Sequence, residues 1–324
     1  MTPLFERLEP PRVDWARDAL RSLVTRRGVR RREERTRFGS MSFYELGAEH
    51  EGPPLVFLHG IAADALPLLF LAMAFAETRR CILPDLFDFA GASRRFTSPR
   101  GHASLDPTEH AESNADLLAR LRIDAADLVG VSLGGWLALL LAATTPRART
   151  LFLVNPAGLH MDVGDLRALA GTEEPGTRLE LARRVLGEEA LFPGVPAVGA
   201  VMEGLVRRVL DTPQVRGFGE AIMEEHFVDA LLPSIGCPTF VLAGTHDTLL
   251  PRDGPARIVA TVPGASGEWV EGASHNLPFE APGNVYLALR RFHGLTRTPH
   301  ATAGRLRLHA RRLRPTRPIE RTTP

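Results

Sequence analysis

Gly130-Val131-Ser132-Leu133-Gly134-Gly135 stands between a short apolar run, Leu128-Val129-Gly130-Val131, and an alanine- and leucine-rich segment, Trp136-Leu137-Ala138-Leu139-Leu140-Leu141-Ala142-Ala143. The run reads as a buried strand and the segment as a helix, so the G-x-S-x-G between them marks a sharp strand-to-helix turn with a serine at its apex. Gly130 and Gly134 carry no Cβ where strand and helix close on each other, which allows Ser132 a strained backbone. A hydroxyl held there projects from the carboxyl edge of a sheet, with the following amide N–H aimed at the same region. The pentapeptide alone also fits an ordinary Gly-Ser turn before a core helix. The flanking strand and helix favour a nucleophile elbow, with Ser132 as nucleophile.

Working outward, apolar runs of strand length recur at 41–46, 55–58, 81–83, 150–154 and 239–243, with helix-like segments at 66–76, 113–121 (capped near Ser113) and 283–292. This alternation predicts an α/β architecture, a doubly wound and mostly parallel sheet whose ligands sit at the carboxyl ends of the strands. From Asn155 to Ser234 the alternation stops and helical clusters at 178–187, 198–210 and 219–232 follow, broken at Pro175-Gly176, Pro193-Gly194 and Pro213. The expected organisation is a basic N-terminal helical extension (1–37), a first core segment (38–155), a helical cap (156–234), a second core segment (235–296) and a basic, disordered tail (297–324).

The chain resembles the α/β-hydrolase superfamily at four further places, in that family's order. Leu55-Val56-Phe57-Leu58-His59-Gly60-Ile61 is similar to its strand and oxyanion turn, and Arg80-Cys81-Ile82-Leu83-Pro84-Asp85 to the next strand with its Pro-Asp end. Thr239-Phe240-Val241-Leu242-Ala243-Gly244-Thr245-His246-Asp247 resembles the strand carrying the catalytic acid, and Gly272-Ala273-Ser274-His275-Asn276-Leu277-Pro278-Phe279-Glu280 the loop carrying the catalytic histidine. The resemblance spans 38–295 and implies the α/β-hydrolase fold, a cap inserted after the strand at 150–154, and a triad in the order Ser, Asp, His.

Acyl transfer needs a nucleophile, a base, a group orienting the base, and donors for the oxyanion. Of 11 histidines, His275 follows the last strand at the edge to which the elbow points. His59 belongs to the oxyanion turn, and His246 abuts the acid too closely to pair with it. The family places its acid after one of two strands. Here the first offers Asn155 and the second Asp247, so Asp247 is the acid, although an Asp in Gly-Thr-His-Asp also suits a turn cap. The backbone N–H groups of Ile61 and Leu133 are the expected oxyanion donors. Two departures bear on pocket shape: the family's Asp-x-Pro-Gly-x-Gly loop reads Asp85-Leu86-Phe87-Asp88-Phe89-Ala90-Gly91, as if with one extra residue, and Ser274 stands where Gly is common.

Composition narrows the function classes. With 44% hydrophobic and 24% charged residues the chain has the means for a sizeable core, and no apolar run reaches the ~18 residues of a membrane span. Neither a secretory signal nor a zinc-type Cys/His spacing is evident. Cys81 and Cys237 read as buried structural thiols, which with the missing signal gives a cytoplasmic expectation. The 39 basic residues are all arginine, and the charge is uneven: +5 over 1–37, −11 over 38–296 and +7 over 297–324. The basic ends suit a solvated extension and tail, or contact with a lipid surface. The tail lacks the interleaved aromatics of a nucleic-acid groove. The expectation is a cofactor-free, metal-independent serine hydrolase acting on an ester or related acyl bond of a small apolar substrate. The alternatives are a C–C hydrolase, thioesterase, lactonase or acyltransferase with the same triad, or a ligand-binding receptor or accessory protein on the same fold.

Overall fold

The computed structural model describes residues 29–61, 63–89, 93–96, 104–161, 213–294 and 313–321. Ten strands form one sheet: β1 (Arg30–Arg35), β2 (Gly39–Leu46), β3 (Leu55–Leu58), β4 (Cys81–Pro84), β5 (Arg94–Arg95), β6 (Ala126–Val131), β7 (Ala148–Val154), β8 (Thr239–Gly244), β9 (Ser266–Val270) and β10 (Thr316–Pro318). Their order is β1-β2-β4-β3-β6-β7-β8-β9-β10, with β5 paired to β2. From β4 to β9 every neighbouring pair is parallel; β1, β2 and β10 run antiparallel to their neighbours. The doubly wound, mostly parallel sheet expected from the alternation is therefore present.

Strands buried on both faces must be apolar throughout, which is why they stand out as short runs. Successive residues of β6 and β7 feed opposite layers: Leu128, Leu151 and Leu153 pack on one face, Val129, Phe152 and Val154 on the other. The first layer is built from α2 (Pro107–Arg120), α3 (Leu133–Thr144) and α5 (Gly254–Thr261), the second from α1 (Leu66–Met73), α6 (Leu277–Glu280) and α7 (Pro282–Phe292). Helix α2 starts earlier than the sequence suggested. Asp106 accepts from the Glu109 N–H at 2.8 Å and Glu109 returns the bond to the Asp106 N–H, a capping box with Pro107 at the first helical position. Ser113 is mid-helix and donates to the His110 carbonyl at 2.8 Å.

Both ends of the chain depart from expectation. Residues 30–35, placed in the helical N-terminal extension, form the edge strand β1. Its six charged side chains are mostly exposed, as suits an edge that must not pair with another chain. Two arginines, Arg32 and Arg80, hold the buried Glu45 of β2, each at 2.7 Å. The rest of that expected extension, 1–28, lies outside the described residues. At the other end, Thr316–Pro318, placed in a disordered tail, pairs with β9, because an edge strand needs backbone partners more than an apolar pattern. Most of the expected cap, 162–212, is likewise outside the described residues. Its described return consists of α4 (Pro213–Ala221) and 3-10 turns at Glu224–His226 and Asp229–Ser234. Among the described residues no helix is long and apolar enough to cross a membrane.

Candidate active site

At the carboxyl end of β6 the backbone turns abruptly into α3, and Ser132 takes φ 54° and ψ −118°. The flanking glycines are dictated by contact. A Cβ on Gly134 would lie 2.0 Å from the Leu58 carbonyl oxygen, and one on Gly130 would lie 2.4 Å from that of Gly134. The turn is tied down from three sides: the Ser132 N–H donates to the Val154 carbonyl at 3.0 Å, while the Ser132 carbonyl accepts from Gly135 (2.8 Å), Trp136 (3.2 Å) and Ala157 (3.0 Å). Strain at a serine persists only where its surroundings over-determine it, and here they do.

Three side chains from distant parts of the chain meet there. His275 Nδ1 lies 2.8 Å from Asp247 Oδ2, and His275 Nε2 lies 2.9 Å from Ser132 Oγ. Since a carboxylate only accepts, Nδ1 carries the proton and donates to Asp247, leaving Nε2 to accept from the serine hydroxyl. Ser132 is 8% and His275 7% exposed, so the pair is screened yet reachable. Asp247 contacts both the turn and the imidazole. Its Oδ1 accepts from the Leu249 N–H at 2.9 Å and the Leu250 N–H at 3.4 Å, fixing the turn, while Oδ2 faces the imidazole. A hydroxyl on an imidazole oriented by a carboxylate is the arrangement that hands a hydroxyl proton to a base.

The turn after β3 borders this line. A Cβ on Gly60 would lie 3.5 Å from Ser132 Cβ and 3.9 Å from its Oγ, so this turn lies directly beside the serine. His59 sets the turn's shape: its Nε2 accepts from the Leu86 N–H at 3.0 Å and its Nδ1 donates to the Gly60 carbonyl at 2.8 Å. Asp85 braces the following segment by accepting from the Ala65 N–H at 3.0 Å. Among the described residues neither the Ile61 nor the Leu133 N–H has a hydrogen-bond acceptor, the condition for donors kept open to a ligand. In the departing loop, Asp88 stands fourth from Asp85, where the pattern has its glycine. It takes φ 63°, with its carboxylate accepting from Arg95 (2.9 Å), Ser104 (3.2 Å) and the Leu105 N–H (3.0 Å). Those bonds offset the cost of a left-handed non-glycine residue.

Two groupings were not foreseen. Asn155, dismissed as an empty acid position, is 2% exposed. Its amide donates to the carbonyls of Ser274 (3.0 Å) and His275 (2.9 Å), and its Oδ1 accepts from the Gly244 N–H at 2.9 Å. It thereby ties the histidine loop to the end of β8. Ser274, noted only as a departure from glycine, donates both its N–H (2.9 Å) and its hydroxyl to Glu280. A cavity lined by Asn155, Thr245, Asp247, Trp269 and Arg317 opens on the same edge, but Ser132 and His275 are not in its wall. Among the described residues no group of three His, Cys, Asp or Glu side chains is placed to hold a metal ion.

Residues 55–289 match the model of the alpha/beta hydrolase family. The chain is 28% identical over 235 residues to the magnesium-chelatase 30 kDa subunit of Rhodobacter capsulatus, covering 68% of this chain and 80% of that protein. It is 27% identical over 241 residues to the serine hydrolase BPHL of Mus musculus, covering 67% and 79%. Among solved structures, the carboxylesterase CesB of Bacillus subtilis superposes with a TM-score of 0.68 at 22% identity, over 87% of this chain and 97% of that one, a likeness of fold.

Proposed function

This chain belongs to the alpha/beta hydrolase family, and from that premise we propose that it is a serine hydrolase cleaving an ester or related acyl bond of a small apolar substrate through an acyl-enzyme. The observation that carries the proposal is the unbroken line Ser132 Oγ–His275 Nε2, His275 Nδ1–Asp247 Oδ2 at 2.9 and 2.8 Å. As Ser132 Oγ bonds to the acyl carbon, His275 Nε2 takes its proton, and Asp247 stabilises the imidazolium. The carbonyl oxygen gains charge against the N–H groups of Ile61 and Leu133. Collapse of the tetrahedral species breaks the bond to the leaving alcohol, which receives the proton from His275. Water then repeats the sequence on the acyl-serine, with His275 again accepting and returning one proton. No metal or cofactor is needed for these steps.

The neighbourhood supports an apolar substrate. Leu133, Trp136, Leu159, Phe218 and Phe227 belong to one buried cluster with Ile61, Phe89 and Met161 packed against it, so the residues around the turn and in the segment returning to β8 are largely hydrocarbon. The likeness to a chelatase subunit supports a second reading, an accessory protein on the hydrolase fold. A fluorophosphonate probe separates the two. An adduct mapped to Ser132, with turnover of p-nitrophenyl butyrate abolished by Ser132→Ala, is the expected result. Folded protein that neither labels at Ser132 nor hydrolyses any member of an acyl-chain series would refute the hydrolase reading.

A further inference from the structure

The C-terminal segment 313–321 is a strap across the sheet edge nearest the histidine loop. β10 pairs with β9 in the register Thr316↔Val270, Arg317↔Trp269, Pro318↔Glu268. The ladder extends at both ends, with the Glu271 N–H donating to Pro315 at 2.9 Å and the Ile319 N–H to Gly267 at 3.0 Å. Ile319 is 6% exposed and joins the buried cluster, so the strap is anchored by packing as well as by backbone bonds. We infer that this strap is a positioning element of the active site, and that Arg314 is the residue through which it holds the loop carrying His275.

Arg314 bridges the two ends of that loop. Its Nη1 donates to the Gly272 carbonyl, and its Nη2 lies 3.6 Å from Glu280 Oε2. The Glu280 side chain is wholly buried and accepts both the N–H and the hydroxyl of Ser274, the residue before His275. A buried carboxylate without a cationic partner is costly, so Arg314 is what allows Glu280 to stand beneath the loop and grip Ser274. Arg314 is itself fixed. Its N–H donates to Asn284 Oδ1 at 3.1 Å and its carbonyl accepts from Asn284 Nδ2 at 2.9 Å. The loop from Gly272 to Glu280 is thus clamped by the strap on one side and by Asn155 on the other, with His275 between. Where a misplacement of about 1 Å between reacting groups can cost ~10²-fold, a clamp on the loop's peptide is a clamp on the Nε2–Oγ distance.

The inference rests on reading His275 as the base of Ser132, so its test has an arm that does not use activity. In the full chain, Arg314→Ala should accelerate amide exchange by ~10-fold or more within 272–280, Ser274 foremost, because its N–H loses a fixed acceptor. It should lower kcat on p-nitrophenyl butyrate by ~10-fold with KM within about twofold, the signature of a group felt in the transition state. Arg314→Lys, which keeps the charge near Glu280, should recover part of both. Thr316→Ala, which removes an exposed side chain on the same strap, should change neither. Unchanged exchange in Arg314→Ala, or faster exchange with unchanged kcat, would overturn the inference. A wild-type chain that neither labels at Ser132 nor turns over the ester would overturn the hydrolase reading instead, and the exchange arm would still decide whether Arg314 holds the loop. If Arg314→Ala fails to fold, Arg314→Lys with wild-type exchange and kcat would refute the role of the two-ended bridge.

Discussion

Asp247 and Asn155 follow neighbouring parallel strands, and the hydrolase family draws its acid from either place, so exchanging their chemistry is the sharpest test of the site. Asp247→Asn keeps Oδ1 for the Leu249 and Leu250 N–H groups but presents an amide donor where His275 Nδ1–H needs an acceptor. The turn should survive while the imidazole loses its orientation and its counter-charge. The expected loss is roughly 10³–10⁴ in kcat, equivalent to about 4–5.5 kcal/mol at 1.36 kcal/mol per tenfold, with KM and thermal midpoint nearly unchanged. Asn155→Ala does the reverse. It strands the carbonyls of Ser274 and His275 and the Gly244 N–H, all in a buried setting. At about 1–3 kcal/mol for each unsatisfied group, even the low end gives ~3 kcal/mol. At ~2–4 °C per kcal/mol for a domain of some 150–250 residues, the midpoint should fall by roughly 6–12 °C, while kcat falls only about tenfold.

The double variant is decisive. In Asp247→Asn/Asn155→Asp a carboxylate stands after β7 instead of β8, yet one of its oxygens replaces the Nδ2 that faces two backbone carbonyls, while the other stays on the Gly244 N–H. It should therefore restore no activity and lose further stability through repulsion. The assay is kcat and KM on p-nitrophenyl butyrate beside a thermal melt of each variant. Recovery of activity in the double variant, or equal kcat losses in Asp247→Asn and Asn155→Ala, would refute the assignment of distinct roles.

Two further outcomes are expected. Gly134→Ala should leave less than about 1% of wild-type kcat and a lowered melting midpoint, since its Cβ would meet the Leu58 carbonyl oxygen at 2.0 Å and the elbow has no slack to move; wild-type kinetics in that variant would contradict the packing described. Stability should decline as pH falls from 6.5 towards 4, because burial pushes His110 down to about 4, outweighing the carboxylates of Asp88 and Asp106 that face it. The unfolded chain then takes up a proton that the folded one refuses, so stability present above pH 6.5 is lost towards pH 4; burial pushes His293 down in the same way, so His110→Leu should reduce that slope in denaturant melts without abolishing it.

The elements that were legible in the sequence are those whose side chains face burial on both sides. β3, β4, β6, β7 and β8 had to be written as apolar runs, and the elbow had to carry glycines because two backbones touch there. Each of these constraints acts within a few residues, so a short window records it. β1 and β10 were not legible because an edge strand is fixed by a ladder of backbone bonds that any residue can supply. A run such as Arg30-Arg31-Arg32-Glu33-Glu34-Arg35 reads as solvated whether it is helix, coil or edge.

The same distinction separates the residues proposed to react from those that hold them. Ser132, Asp247 and His275 must be particular chemical types, and each sits at a strand end with recognisable neighbours. Asn155, Glu280 and Arg314 need only reach a peptide group or a charge on the next element, a demand that leaves no local pattern and could be met by other residues at other places. What selects them is topology: the order β7-β8-β9-β10 lays the end of the alternative acid strand, the acid turn, the histidine loop and the C-terminal strap side by side. Groups as far apart in the chain as Asn155 and Arg314 therefore close on one nine-residue loop. Because a catalytic constellation must be held to within ~0.5 Å, that loop needs support from both sides. The sheet order supplies the second side by bringing back a tail that composition alone would leave in solvent.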